Sequence, residues 1–198
     1  MSNIKNGLDL VICGIQEIAG SLDERITHVI SILDPGWIEP AEIGAPAERK
    51  LLRLRFHDVI EAMPAVDAPE TSHIAAIVDF GGALAPHPAA RVLIHCHMGI
   101  SRSTAAAIIL LASHGRDADA AVARVTEIRP VAWPNLRMIE LADRLLELDS
   151  RLIAAVRRHY AKALLRRPEL REAFIRSGRA REVEGLDAAP ATPRHSLE

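Results

Sequence analysis

The chain has 198 residues, a formal net charge of −2 and 49% hydrophobic residues. That length buries one substantial core, and interspersed acids and bases give none of the basic excess that draws a protein to nucleic acid or an anionic membrane. No run reaches the length of a membrane span and no apolar leader follows a charged start, so a cytoplasmic protein without nucleic-acid or membrane partners is expected. Its oligomeric state is not legible from composition.

Residues 8–13 alternate and then run apolar, as a strand does, and Gly14 breaks the run. Residues 28–33 predict a second strand, closed by Asp34-Pro35-Gly36, and residues 37–48, with Pro40 and Pro46 and little periodicity, predict a loop. Residues 52–56 alternate apolar with basic, as a strand with one buried face. Residues 71–84 space Ile74, Ile77, Val78 and Leu84 helically, with Thr71 and Ser72 as capping groups and Pro86 and Pro88 beyond the end. The apolar run Val92-Leu93-Ile94 predicts a strand, residues 104–111 a helix, and Asp117 caps a further helix reaching Ile128.

Downstream, Met138, Leu141, Ala142, Leu145, Leu148, Leu152, Ile153 and Val156 form one stripe on a single long helix, packed on the core or presented to a partner. The expected fold class is α/β, a mainly parallel central sheet flanked by helices with a helical C-terminal part. Residues 1–176 read as one domain, and residues 177–198, rich in Gly, Ala, Pro and charge, as a disordered tail.

The chemistry concentrates in His95-Cys96-His97-Met98-Gly99-Ile100-Ser101-Arg102-Ser103, between a strand and a helix. Amides at a helix start lack intrahelical acceptors and carry partial positive charge, so this loop suits an anion, and a thiol there is favoured as thiolate. Arg102 offers a planar fork for two oxygens, and Gly99 lets the loop turn back on itself. The other cysteine, Cys13, reads as a small apolar residue ending the first strand, or as a reversible disulfide partner for Cys96. Two cysteines are too few for a zinc framework, and no metal or cofactor is implied.

This nonet resembles the His-Cys-x5-Arg-Ser/Thr phosphate loop of the cysteine-dependent protein tyrosine phosphatase superfamily, most closely its dual-specificity branch. The resemblance implies a phosphomonoester hydrolase acting through a phosphocysteine on a phosphorylated protein or a small phosphomonoester. It makes Cys96 the nucleophile, Arg102 the phosphate clamp and Ser103 the hydroxyl that assists thiolate departure. His97, Met98, Gly99, Ile100 and Ser101, with Arg102, would bind the substrate phosphate through the loop, and His95 would orient it. The general acid in such enzymes is an aspartate on an earlier loop. Asp58 follows the residue 52–56 strand but stands 38 positions before Cys96, longer than the usual spacing, whereas Asp67 stands 29 before. Asp58 is preferred and Asp67 stays open.

Arg129-Pro130 and Trp133-Pro134-Asn135 resemble a pattern that follows the catalytic helix in the dual-specificity branch, where the asparagine supports the loop. Asn135 also reads as a helix cap. The chain lacks an obvious aromatic clamp for a phenyl ring: Tyr160 lies late, and Trp37 reads as a loop or core aromatic before it reads as a pocket wall. Two alternatives are carried forward. One is a catalytically weak phosphate-binding module on the same fold; the other is a related cysteine chemistry such as arsenate reduction or sulfur transfer.

Overall fold

The computed structural model describes residues 8–44, 49–84 and 90–186. The chain divides into two compact units, Met1–Val156 and Arg157–Glu198. In the first, strands β1 (Asp9–Gly14), β2 (Ile26–Leu33), β3 (Lys50–Arg55) and β4 (Arg91–Cys96) form one sheet in the order β1-β4-β2-β3. Every pairing is parallel, with Gly14 opposite Cys96 and Ser31 opposite His95. Such a sheet needs cover on both faces, which is why β4 reads as a continuous apolar run. Alternation along β4 turns Leu93 toward Cys13, Ile18, Ile26, Val29 and Ile43, a core cluster on one face, and turns Val92, Ile94 and Cys96 to the other.

Helices α1 (Ile18–Ser21), α2 (Thr71–Gly82), α3 (Arg102–Ser113), α4 (Ala118–Ile128) and α5 (Leu136–Leu145) complete this unit. Residues 102–112 of α3 are all buried, and a helix apolar around its circumference belongs at the centre of its layer. It packs against β4, α2, α4 and α5. Asp117 caps α4 as its sequence predicts, its carboxylate accepting from the Ala120 amide at 3.2 Å. The N-cap of α2 is Glu70 rather than Thr71 or Ser72, and the helix ends at Gly82. Pro86 and Pro88 lie outside the described residues. The expected loop at 37–48 contains a short 3-10 turn, Ala41–Gly44.

The single long helix expected through residue 156 is two helices. After α5 the backbone takes left-handed conformations at Glu147, Asp149 and Ser150, and α6 (Arg151–Arg166) begins anew. The buried Asp143 carboxylate stabilises the break by accepting from the amides of Ser150 at 2.7 Å, Leu152 at 2.8 Å and Ile153 at 3.2 Å. These are amides a helix start leaves without intrahelical acceptors. Apolar spacing does not register the break, because both helices keep buried faces.

The second unit takes the C-terminal part of α6 with α7 (Leu170–Arg176) and α8 (Ala180–Val183). Within it, Arg157 donates to the carbonyls of Arg181 and Glu184, and Arg171 to those of Val183 and Leu186. Arg179 pairs with the buried Glu182 at 2.7 Å. Within the stretch expected as a disordered tail from residue 177, residues 177–186 carry α8 and these contacts, and residues 187–198 lie outside the described residues. No helix among the described residues is long and apolar enough to cross a membrane.

Removing the Asp143 acceptor strands the buried amide of Leu152 and takes the partner from the part-buried amides of Ser150 and Ile153. Asp143→Ala is expected to cost about 3 kcal/mol in urea unfolding, and Asp143→Asn distinctly less.

Candidate active site

In a parallel sheet, groups that follow strand C-termini gather at one edge, where ligands of α/β proteins bind. Gly14 ends β1, Asp34 follows β2, Phe56 and Asp58 follow β3, and Cys96 ends β4. Because β4 lies between β1 and β2, the loop after it is flanked by the others.

The carbonyls of that loop are held from outside, one after another. His97 O accepts from the Ile15 amide at 3.0 Å, and Ile100 O from the Trp133 amide at 2.8 Å. Ser101 O accepts from the Ala105 amide at 3.0 Å and the Asn135 amide at 3.3 Å. Arg129 serves the two between: Nη2 donates to Met98 O at 3.2 Å and Nε to Gly99 O at 3.0 Å, while Glu17 pairs with the same guanidinium at 2.9 Å. The Trp133-Pro134-Asn135 order fits, since alternate amides meet the loop and the intervening residue needs no donor. Among the described residues, the amides of His97, Met98, Gly99, Ile100 and Arg102 have no protein acceptor. With the carbonyls tied to other segments, successive amides are left without a protein acceptor, the arrangement from which backbone anion nests are built.

Two glycines make the path possible. Gly99 sits at φ +68°, and a Cβ there would lie 2.5 Å from the Cys13 carbonyl carbon and the Gly14 nitrogen. At Gly14 a Cβ would meet the His97 and Met98 backbone at 3.0 Å. Gly99 is required by close approach and by its conformation, whereas a side chain at Gly14 would make the facing loop backbone give by a few tenths of an ångström.

The buried Arg102 side chain donates from Nη1 to Asp34 Oδ1 at 2.6 Å and to the Phe56 carbonyl at 2.7 Å. Its Nε is buried with no protein partner, so the Nε–Nη2 edge of the fork remains for a ligand. Cys96 is 2% exposed, and its Sγ lies 3.3 Å from Ser103 Oγ. The sulfur is therefore at the floor of the loop beside a hydroxyl.

Beneath the loop, His95 is fully buried, with Nε2 3.9 Å from Glu39. Burial pushes this imidazole down to about 4, against the pull of Glu39. Burial would raise the Glu39 carboxyl, but hydrogen bonds from Ser31 and Arg55 outweigh it and hold it below its usual range. Burial, and then the Arg102 charge, lower His97. Burial pushes the Cys13 thiol up to about 11, consistent with a protonated apolar strand end.

Asp58 lies against the loop, where Oδ1 accepts from Ser101 Oγ at 2.7 Å and from Asn135 Nδ2 at 2.8 Å. Asn135 also caps α5, its Oδ1 accepting from the Met138 amide at 3.1 Å. Asp67 is exposed, and its backbone carbonyl accepts from the His57 amide at 2.7 Å. Of the two aspartates, only Asp58 bonds to the loop. Trp37 is not a core residue: it is 52% exposed, and its ring stands 4.5 Å from that of His97. Met98, on the loop itself, is exposed.

Sequence reading missed Glu17, Asp34, Glu39 and Arg129. Asp34 carried a usable signal, a carboxylate directly after a parallel strand, and Arg129 stood in a noted pattern without a role. Among the described residues, no three His, Cys, Asp or Glu side chains converge as metal ligands.

Gly99→Ala is expected to lose more than about 3 kcal/mol of stability in denaturant unfolding, because strain at positive φ adds to a clash with backbone. His95 sets a pH dependence. Its folded-state value lies below the unfolded 6.5, so the unfolded chain takes up the proton first as pH falls. Stability is full above about 6.5 and drains away down to about 4, by on the order of 3 kcal/mol. His95→Asn should flatten that part of the stability–pH curve.

No family model and no curated protein matches the chain. Solved structures do. Human DUSP28 aligns with TM-score 0.53 and 20% identity, over 70% of this chain and 92% of its own. Tk-PTP in its active form aligns at 0.52 and 18%, over 73% and 94%. PTPMT1, solved in complex with PI(5)P, aligns at 0.50 and 17%, over 74% and 94%. At these identities the likeness concerns backbone architecture alone. The chain thus has the fold of the cysteine-dependent protein tyrosine phosphatase superfamily, of the dual-specificity type.

Proposed function

We propose that the chain is a phosphomonoester hydrolase that works through a phosphocysteine at Cys96. The observation that carries this reading is the set of outward-held carbonyls at residues 97–101, which leaves loop amides and the Nε–Nη2 edge of Arg102 for a phosphoryl group above Sγ. Such preorganised donors stabilise charge without reorganising during reaction. A cysteine 2% exposed is reached by a slender group such as a phosphoryl on its ester oxygen.

In the first step the Cys96 thiolate forms an S–P bond as the P–O ester bond breaks, and the departing oxygen takes a proton from Asp58. Ser101 and Asn135 hold the Asp58 carboxyl at the loop. In the second step water attacks phosphorus, gives its proton to the Asp58 carboxylate, and the S–P bond breaks. The thiolate re-forms beside the Ser103 hydroxyl, and inorganic phosphate leaves. His97, Met98, Gly99, Ile100 and Ser101 contribute through the loop they build, and His95 supports it from below. The substrate class is a phosphorylated protein or a small phosphomonoester.

Hydrolysis of an aryl phosphate in the presence of chelator tests the assignment. Cys96→Ser should abolish turnover, and Asp58→Ala should lower kcat by about 10²- to 10⁴-fold. Asp67→Ala should leave kcat within about threefold. A larger loss from Asp67→Ala than from Asp58→Ala reverses the acid assignment. Absence of turnover by the native chain, with phosphate binding retained, identifies a phosphate-binding module instead.

A further inference from the structure

The segment Asp34-Pro35-Gly36-Trp37 is a tight turn, closed by a hydrogen bond from the Trp37 amide to the Asp34 carbonyl at 3.1 Å, with Gly36 at φ +77°. Proline second and a positive-φ glycine third are the residues of a type II turn. Both ends of the turn touch the candidate site. Trp37 stands over the His97 ring, and Asp34 reaches the buried Arg102.

The atom that Asp34 takes decides what it does. With Nη1 engaged, the Nε–Nη2 edge is the one left with two parallel N–H groups, and a carboxylate competing with phosphate would occupy that edge. Asp34 instead holds Nη1, which also donates to the Phe56 carbonyl. A planar guanidinium fixed at one nitrogen by two acceptors cannot turn about its own axis without losing both. Nε stays buried and without a protein partner. We infer that Asp34 is a positioning residue: it fixes the plane of Arg102 so that the Nε–Nη2 edge is set in advance for two oxygens of a bound phosphoryl group. The inference rests on the proposed phosphate site. Its cost is repulsion between the Asp34 carboxylate and an incoming dianion, moderated because the Asp34 side chain is 35% exposed to water.

The two effects have opposite signs, which makes the role separable. Asp34→Asn keeps an oxygen that accepts from Nη1 and removes the charge; Asp34→Ala removes both. Tungstate binding is measured by calorimetry at neutral pH in a Cys96→Ser background, alongside aryl phosphate KM and kcat in the native background and thermal unfolding of every variant. Asp34→Ala should weaken tungstate binding by about tenfold or more, with a raised KM, while Asp34→Asn binds within about threefold of the parent or tighter. Should Asp34→Ala not fold, Asp34→Ser, whose side chain is one carbon shorter, is read in its place.

Asp34→Ala binding as tightly as the parent, or more tightly, overturns the positioning role and makes the carboxylate an inhibitory neighbour. Equal weakening by Asn and Ala overturns it as well, because the charge rather than the acceptor would then be what matters. If the Cys96→Ser parent binds no tungstate, the phosphate site itself fails. That result differs from equal affinities across the series, which would remove only the assignment of Asp34.

Discussion

The candidate site depends on backbone polarity being sorted by position: carbonyls of residues 97–101 point out and are bonded, so their neighbouring amides are left facing in. A peptide unit carries its N–H and C=O on opposite sides, so tying one fixes the other. The tethers come from far along the chain: Ile15 after β1, Arg129 after α4, and Trp133 and Asn135 before α5. A loop of a few residues is thus shaped by segments more than a hundred positions apart in sequence. Gly14 and Gly99 let two of those backbones approach closely enough for this to happen.

The charges follow the same economy of placement. Several carboxylates border a site suited to an anion, and each is engaged: Asp34 with Arg102, Glu17 with Arg129, and Glu39 with Arg53 and Arg55. Pairing reduces the repulsion an anion would meet, and it spends the cations on geometry. Arg129 is used wholly as scaffold, gripping two carbonyls and Glu17. Arg102 is divided, with Nη1 serving the scaffold and its other edge remaining. The buried His95, held neutral over the physiological range, adds no charge beneath the loop.

Much of this was legible in the sequence. The loop from His95 to Ser103 combines residue types that have few joint explanations, and its flanking strand and helix show in the apolar runs on either side. Asp58 was readable only as one of two aspartates, since spacing favoured Asp67 and strand position favoured Asp58; its bonds to Ser101 and Asn135 associate it with the loop. Asp34 and Glu17 were not found because a lone carboxylate in a turn resembles any solvated one until its partner is known. The break between α5 and α6 was missed for a related reason. Periodicity reports which face is buried, whereas the break depends on one buried carboxylate, Asp143, turned toward three amides.

The central claim concerns direction, so a structure with an anion present tests it most directly. A crystal structure of the Cys96→Ser protein with tungstate should place the ion above residue 96, its oxygens within hydrogen-bond distance of the amides of residues 97–102 and of Nε and Nη2 of Arg102, with Nη1 still on Asp34. Tungstate bound elsewhere, or a loop whose carbonyls rather than amides line the concavity, would contradict the account.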